Sequence, residues 1–198
     1  MARAKKKITL EDIPSREQLV NELARVRQNK RFSSTVRSTI YILVIVAAAA
    51  VLIATLVLPI FQIYGSSMAP TLEEGDIVAA VKNLEFQRKD LVAFYYNNKI
   101  LVKRVIANSG EWVDIDEEGN VYVNGELLDE PYLIDRAYGD CDIELPYQVP
   151  EGRIFVMGDH RSVSVDSRNS QIGCISDEQI AGRLILRVWP LNVIGKVE

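Results

Sequence analysis

The longest apolar segment of the chain covers residues 39–60 and contains no charged side chain. As an α-helix at about 1.5 Å per residue it would span roughly 33 Å, which exceeds a hydrocarbon core of about 30 Å. A helix buried in a soluble core is disfavoured because the segment has no polar face. A cleavable signal peptide is disfavoured because a long basic arm, residues 1–37, precedes it. We therefore predict an uncleaved membrane-spanning helix.

Beyond this segment, short runs rich in Val, Ile, Tyr and Phe alternate with turn residues, a pattern typical of β-strands. These runs are residues 76–81, 91–96, 100–106, 111–115, 121–123, 153–157 and 183–189. Asn124-Gly125 favours a two-residue hairpin, because both central positions of a type I′ turn need positive φ. No long amphipathic helix interrupts the runs, although residues 176–180 could form one short capped helix. We predict a mainly β fold behind a single N-terminal transmembrane helix.

The N-terminal arm contains a predicted helix over residues 15–28. Ser15 and Gln18 fit a capping box, and apolar residues then recur at helical spacing at Leu19, Val20, Leu23 and Val26. The apolar stripe could contact the membrane surface, or the helix could be solvated and serve only to fix the topology. The basic run Lys5–Lys7 is too short to indicate nucleic-acid binding, and we expect none.

The charge distribution predicts the orientation in the membrane. Residues 1–37 include ten Lys/Arg and four Asp/Glu, a net +6, whereas the remaining residues include 13 and 23, a net −10. After the apolar segment the first basic residue is Lys82, so the positive-inside rule leaves the N-terminus in the cytoplasm. We divide the chain into a cytoplasmic arm (1–38), a membrane anchor (39–60) and an extracytoplasmic domain (61–198). We expect a monomer bound to the lipid bilayer.

The side-chain inventory excludes several kinds of catalytic site. His160 is the single histidine, and Cys141 and Cys174 are the two cysteines, without the paired spacing of a zinc site. A glycine-rich phosphate loop is absent, and we expect neither a metal nor a cofactor. Whether the cysteines form a disulfide stays open. A cysteine nucleophile at Cys174, as in a wall-anchoring transpeptidase, is a weaker alternative because no motif surrounds it.

Two segments suggest a serine activated by a lysine. Ser67 lies in the run Tyr-Gly-Ser-Ser-Met-Ala-Pro-Thr-Leu a few residues beyond the apolar segment, where Gly and Pro indicate a fixed turn. Lys103 and Arg104 interrupt an apolar strand, one on each face. Lys103 could be a snorkelling side chain on an edge strand. Alternatively, burial lowers its pKa by about 3 units, at a cost of roughly 4 kcal/mol, and leaves a neutral amine that deprotonates a serine.

Four ordered segments resemble the motifs of the bacterial type I signal peptidases. They are Ser-Met-Ala-Pro-Thr-Leu at residues 67–72, Gly-Asp-Ile-Val at 75–78, Lys-Arg-Val at 103–105 and Gly-Asp-His-Arg-Ser-Val-Ser-Val-Asp-Ser-Arg at 158–168. The similarity extends from about Phe61 to Trp189-Pro190. It implies a mostly β, membrane-bound Ser/Lys endopeptidase that removes signal peptides from secreted preproteins after small residues, at the outer membrane face.

Matching positions carry implied roles. The resemblance makes Ser67 the nucleophile, with its N–H in the oxyanion hole, and Lys103 the general base. Four further residues would support them: Ser164, which orients the lysine through a hydrogen bond, Asp166 and Arg168, which form an ion pair, and Asp159.

The chain also departs from the family pattern. Gly65 stands where some members have a serine that donates a second hydrogen bond to the oxyanion, so a backbone group or Ser66 would have to replace it. His160 and Ser162 stand where Asn and Asp are common in the last motif. We interpret both as changes in the scaffold, although a neutral His160 near Ser67 could compete as the base.

The sequence leaves the substrate pocket and one alternative function open. Phe61, Ile63 and Tyr64 are candidate pocket residues, but they could equally be core or membrane contacts. The alternative to a peptidase is a membrane-tethered β domain that binds secreted chains or wall components without cutting them. The joint presence of Ser67, Lys103, Ser164 and Asp166 disfavours it.

Overall fold

The structure is a computed structural model that describes residues 14–82 and 86–197, with backbone alone for residues 53–57. The basic run Lys5–Lys7 lies outside the described residues. The chain divides after Ile53 into two compact units.

The described part of the first unit is one helix, α1 (Arg16–Val57), whose last four residues belong to the second unit. The predicted capping box is confirmed: the Ser15 N–H donates to Gln18 Oε1 at 2.9 Å, and the Gln18 N–H donates to Ser15 Oγ at 3.3 Å. The prediction of a separate helix ending at residue 28 is wrong. Residues 29–38 contain neither Gly nor Pro, so nothing interrupts the helix before the apolar segment. The C-terminal end falls at Val57 rather than residue 60 because Pro59 disfavours helical φ/ψ in the residue before it.

The helix α1 is long and apolar enough to cross a membrane. Large apolar side chains are exposed on all sides of its C-terminal half, including Ile42, Leu43 and Ile45. A helix that is apolar around its circumference and not buried by protein suits a lipid environment. The domain boundaries at residues 38/39 and 60/61 stay predictions.

Among the described residues, the regular elements of the second unit are almost all antiparallel β-strands, joined by long loops, which confirms the predicted mainly β fold. Its described strands are β1 (Ile60–Gln62), β2 (Ile77–Val81), β3 (Leu91–Tyr96), β4 (Lys99–Ala107), β5 (Trp112–Ile115), β6 (Val121–Val123), β7 (Glu126–Leu127), β8 (Tyr147–Gln148), β9 (Arg153–Met157), β10 (Ile175–Ser176), β11 (Ile180–Trp189) and β12 (Gly195–Lys196). The larger sheet has the order β1-β2-β11-β3-β4-β9-β10, with β12 paired to β11, and the smaller has the order β7-β6-β5-β8.

Each predicted strand run corresponds to an observed strand. The Asn124-Gly125 hairpin is also confirmed, because φ is 55° at Asn124 and 83° at Gly125, between β6 and β7. The predicted helix at residues 176–180 is a single 3₁₀ turn, Asp177–Gln179.

Two apolar clusters hold the segments that contain Ser67 and Lys103. One packs the sequence after β1, through Ile63, Met68 and Leu72, against β2, β3 and β11. The other lies between β4, β9 and the smaller sheet. Met68 and Leu72 are fully buried immediately after Ser67, so core packing fixes the loop that carries this serine.

Candidate active site

Ser67 lies in a turn whose conformation is fixed by the residues before and after it. Gly65 has a φ of 79°, a left-handed conformation that glycine adopts at little cost. After it, the Ala69 N–H donates to the Ser66 carbonyl at 3.1 Å and the Leu72 N–H donates to the Met68 carbonyl at 2.9 Å. These bonds, with buried Met68, leave the Ser67 side chain partly exposed at the surface of the domain.

Lys103 lies in the middle of β4, paired with Val92 of β3. Its side chain is 3% exposed, and its Nζ donates a hydrogen bond to Ser67 Oγ at 2.6 Å. The structure therefore brings together two side chains that are 36 positions apart in sequence. The snorkelling alternative is wrong, because a snorkelling ammonium would remain in water.

Burial changes the acidity of Lys103. Desolvation lowers the pKa of its amine from 10.5 to about 8, since the charged form has lost most of its hydration. The Asp166 carboxylate opposes this shift, and the Arg168 guanidinium adds to it. A neutral amine is therefore accessible in mildly alkaline conditions.

Ser164 lies beside the pair but does not make the predicted bond to Lys103. Its Oγ is buried and has no hydrogen-bond partner among residues 14–82 and 86–197. A Cβ on Gly158 would collide with Ser164 Oγ and with the Ser67 carbonyl oxygen, so both atoms lie against this glycine. Ser164 is thus near the candidate nucleophile, and its hydroxyl is close enough to the Asp166 carboxylate to help lower the pKa of that group.

Asp166 and Arg168 form a fully buried ion pair. Arg168 donates from Nε to Asp166 Oδ1 and from Nη2 to Oδ2, both at 2.9 Å, and the Gly158 N–H donates to Oδ2 at 2.9 Å. Burial alone would raise the pKa of the Asp166 carboxyl, but the bonds and charge of Arg168 and the Gly158 N–H outweigh it and hold this pKa below its ordinary value. The carboxylate stays ionised and fixes the residues around it.

Arg104 points away from Lys103 on the opposite face of β4. Its guanidinium donates to both carboxylate oxygens of Asp159, at 2.8 and 2.7 Å, and Thr71 donates from Oγ1 to the same carboxylate. The guanidinium also lies 3.8 Å from the centre of the Tyr132 ring, a cation–π contact. These contacts explain why Arg104, the second cation of this apolar strand, is buried.

Sequence reasoning missed a third buried ion pair, between Arg161 and Glu130. Arg161 donates from two guanidinium nitrogens to the Glu130 carboxylate, which also accepts from the Tyr132 hydroxyl at 2.7 Å. The one indication in the sequence was Arg161 itself, an arginine in the 158–168 motif to which no role had been assigned. The motif gave no indication of which carboxylate would pair with it.

The two residues considered as alternatives in catalysis are His160 as the base and Cys174 as the nucleophile. The ring Nδ1 of His160 lies 3.3 Å from the Ser66 carbonyl oxygen, which is a main-chain contact and not a contact with Ser67 Oγ. Cys174 is buried, and desolvation raises the pKa of its thiol to about 11, which leaves little thiolate. Cys141 and Cys174 are both free thiols, so they form no disulfide.

A cavity of about 850 Å³ adjoins the Ser67–Lys103 pair. One wall is formed by residues 60–65 and the other by residues 98–103. The predicted pocket residues Phe61, Ile63 and Tyr64 all line it, although Phe61 and Ile63 also pack on the core. Within the described residues β9 pairs with β4 only from Arg104 onward, so the preceding part of β4 presents a free edge.

The backbone around Ser67 also offers a hydrogen-bond donor. In the part of the chain that the structure describes, the Ser67 N–H has no acceptor. An unpaired N–H beside a nucleophile can stabilise negative charge on a carbonyl oxygen under attack. The structure does not identify a second donor.

Comparisons with known proteins identify the family of this chain. Residues 36–189 match the family described as signal peptidase, peptidase S26. Signal peptidase I of Bacillus licheniformis is 33% identical over 172 residues, covering 79% of this chain and 90% of that protein. Thylakoidal processing peptidase 1 of Arabidopsis thaliana is 34% identical over 151 residues, covering 68% of this chain but only 43% of that longer protein.

Among solved structures, a signal peptidase I from Enterococcus faecalis V583 is similar, with 31% identity and a TM-score of 0.44. The match covers 50% of this chain and 97% of that one. The family match covers most of this chain, and the relative from Bacillus licheniformis aligns with it over nearly its own full length. The chain therefore belongs to the signal peptidase family, peptidase S26, and is accordingly a peptidase.

Proposed function

We propose that this chain is a membrane-anchored signal peptidase I that removes signal peptides from preproteins with a Ser67/Lys103 dyad. The observation that carries the proposal is the 2.6 Å hydrogen bond between Lys103 Nζ and Ser67 Oγ, with the lysine buried. A nucleophile and a base within hydrogen-bond reach are the minimum that acyl transfer requires.

The first half of the reaction forms an acyl-enzyme. The neutral amine of Lys103 takes the proton of the Ser67 hydroxyl as Oγ attacks the scissile carbonyl carbon. The Ser67 N–H donates to the oxygen on which negative charge develops. The resulting Lys103 ammonium gives its proton to the leaving amine, which departs as the new N-terminus of the mature protein.

The second half releases the signal peptide. The Lys103 amine, neutral again, takes a proton from a water molecule that attacks the ester on Ser67. The ester bond breaks, Ser67 Oγ recovers a proton from the lysine, and the signal peptide leaves with a carboxyl group that loses its proton to solvent. The buried Asp166–Arg168 pair would keep Gly158 and Ser164 in place beside the dyad during both steps.

The cavity suits a substrate in an extended conformation. One wall is formed by β1 and the residues after it, and the other by the part of β4 before Arg104, whose edge opposite β3 is free in the described part of the chain. The main chain of a substrate could pair with this free edge as an added strand. The lining side chains are largely apolar, including Phe61, Ile63, Met68 and Val102. The preference for small residues before the cleavage site is the one that the family resemblance implies.

The membrane topology is part of the proposal. The helix α1 ends at Val57, and only nine residues separate this end from Ser67 in sequence. With the basic arm in the cytoplasm, the catalytic domain would act at the outer face of the membrane as a monomer. Signal peptides deliver their cleavage sites to the same surface, which raises the effective concentration of substrate.

The test is cleavage of a defined preprotein by the full chain in detergent, with the products identified by mass spectrometry. We expect one cut, after an alanine that ends the signal peptide, and loss of this cut when that alanine is replaced by tryptophan. The Ser67→Ala protein, purified in the same way, controls for contaminating peptidases. Binding of the preprotein without cleavage would instead support the tethered, non-catalytic β domain.

A further inference from the structure

His160 contacts the turn that carries Ser67 at two points. Its main-chain N–H donates to the Ser67 carbonyl at 3.1 Å, and its ring Nδ1 lies 3.3 Å from the Ser66 carbonyl oxygen. A carbonyl oxygen only accepts, so the second contact is a hydrogen bond when Nδ1 carries the proton. The Ser66 carbonyl also accepts from the Ala69 N–H at 3.1 Å.

The contact with Ser66 bears on the oxyanion site. The Ser66 carbonyl and the Ser67 N–H belong to one peptide unit, which is planar, so a bond that fixes the oxygen also fixes the direction of the N–H. Hydrogen bonding to the carbonyl also polarises the peptide and strengthens its N–H as a donor. This N–H has no acceptor within residues 14–82 and 86–197, so it is available to a substrate oxygen.

The segment that carries His160 is itself rigid. The preceding residue, Asp159, is held by Arg104, and the following residue, Arg161, is held by Glu130, in two buried ion pairs. The imidazole is only partly buried between these two anchored neighbours. A side chain on so constrained a backbone can set the orientation of a neighbouring peptide unit at little entropic cost.

We propose that His160 is a positioning residue that orients the Ser66–Ser67 peptide unit, so that the Ser67 N–H points at the oxyanion of the reaction intermediate. This inference rests on the proposed function, since it presumes that Ser67 is acylated. It gives His160 a role other than that of a base, because the proton on Nδ1 is retained throughout the reaction.

The test compares two variants of nearly equal size in the full chain in detergent. His160→Asn keeps an N–H donor near the position of Nδ1, and His160→Leu removes it. Oxyanion donors act in the transition state, so we expect His160→Leu to lower kcat about tenfold with KM within about twofold of wild type. The Asn variant should recover kcat to within about threefold of wild type.

Three results would overturn the inference: kcat of His160→Leu within about twofold of wild type, equal losses in the Leu and Asn variants, or a change confined to KM. Should His160→Leu fail to fold, His160→Ala is compared with the Asn variant in the same way. Ser162→Ala, an exposed position in the same turn, is the matched control and should retain wild-type kcat. Failure of the proposed function is distinguished by Ser67→Ala: cleavage by that variant contradicts the dyad, whatever the His160 variants do.

Discussion

Arg104 donates two hydrogen bonds to the carboxylate of Asp159, from Nε at 2.8 Å and from Nη2 at 2.7 Å, with both side chains buried. The two residues are 55 positions apart in sequence. Thr71, four residues after Ser67, donates to the same carboxylate. One ion pair thus joins the serine turn, the lysine strand and the segment that contains Ser164 and Asp166.

Removing one partner of this pair should destabilise the protein strongly. In Arg104→Met, the Asp159 carboxylate would remain buried without its counter-charge, a change that typically costs about 3–5 kcal/mol. The measurement is the free energy of unfolding of the full chain in detergent, from urea titration. The surface pair Arg25–Glu22 supplies the control, because both side chains are largely exposed and Arg25→Gln should have no measurable effect. Equal stability of Arg104→Met and wild type would contradict the structural role of the pair.

Activity should rise with pH through the pKa of Lys103. The base is the neutral amine, and burial brings the pKa of this group down to about 8. We therefore expect kcat/KM to increase about tenfold per pH unit below this value and to level off above it. A profile measured from pH 6 to 10 that is flat throughout would show that Lys103 is not the base.

The free energy of unfolding should also depend on pH through the shifted pKa of Lys103. With a folded pKa of about 8 and an ordinary value of 10.5, Lys103 binds fewer protons in the native state than in the unfolded state between these pH values. The free energy of unfolding therefore rises with pH across this window, by roughly 3 kcal/mol from this group. Lys103→Met lacks this contribution, so its stability advantage over wild type should shrink as the pH rises. An advantage that does not vary with pH would count against a buried, shifted lysine.

Gly158→Ala should disrupt the site without altering any polar side chain. The added Cβ would overlap Ser164 Oγ and the Ser67 carbonyl oxygen, so the serine turn would have to move. Small displacements of reacting groups cost about a hundredfold in rate, and we expect a loss of that order in kcat/KM. Gly195→Ala is the matched control, because its Cβ would meet nothing within 4 Å and kcat/KM should not change. A Gly158→Ala protein with wild-type kcat/KM would contradict the close contact of Gly158 with Ser164 and Ser67.

The sequence predicted secondary structure well where neighbouring residues alone determine it. The strand runs and the Asn124-Gly125 hairpin depend on neighbouring residues, and so does the capping of α1 by Ser15. The length of α1 was harder to predict, because the polar residues after Gln28 do not continue the apolar stripe yet contain nothing that ends a helix.

Contacts within the site were predictable only in part. An apolar strand interrupted by Lys103-Arg104 left open whether Lys103 is buried or reaches water from an edge strand, and the resemblance supplied Ser67 and Asp166 as residues of the same site. The partners Glu130 and Tyr132 could not be predicted, since they lie in a segment outside the strands, and the fold brings this segment to Arg161 from about 30 positions away without a local signal in the sequence. The contact between His160 and Ser66 has the same origin.

The most direct test of the dyad is preprotein cleavage by four variants of the full chain in detergent. Ser67→Ala and Lys103→Ala should each lower kcat at least about a thousandfold, because one removes the nucleophile and the other its base. Ser162→Ala and Lys82→Ala, both at exposed positions, should cleave at the wild-type rate. Retention of cleavage by either Ser67→Ala or Lys103→Ala would contradict the Ser/Lys mechanism.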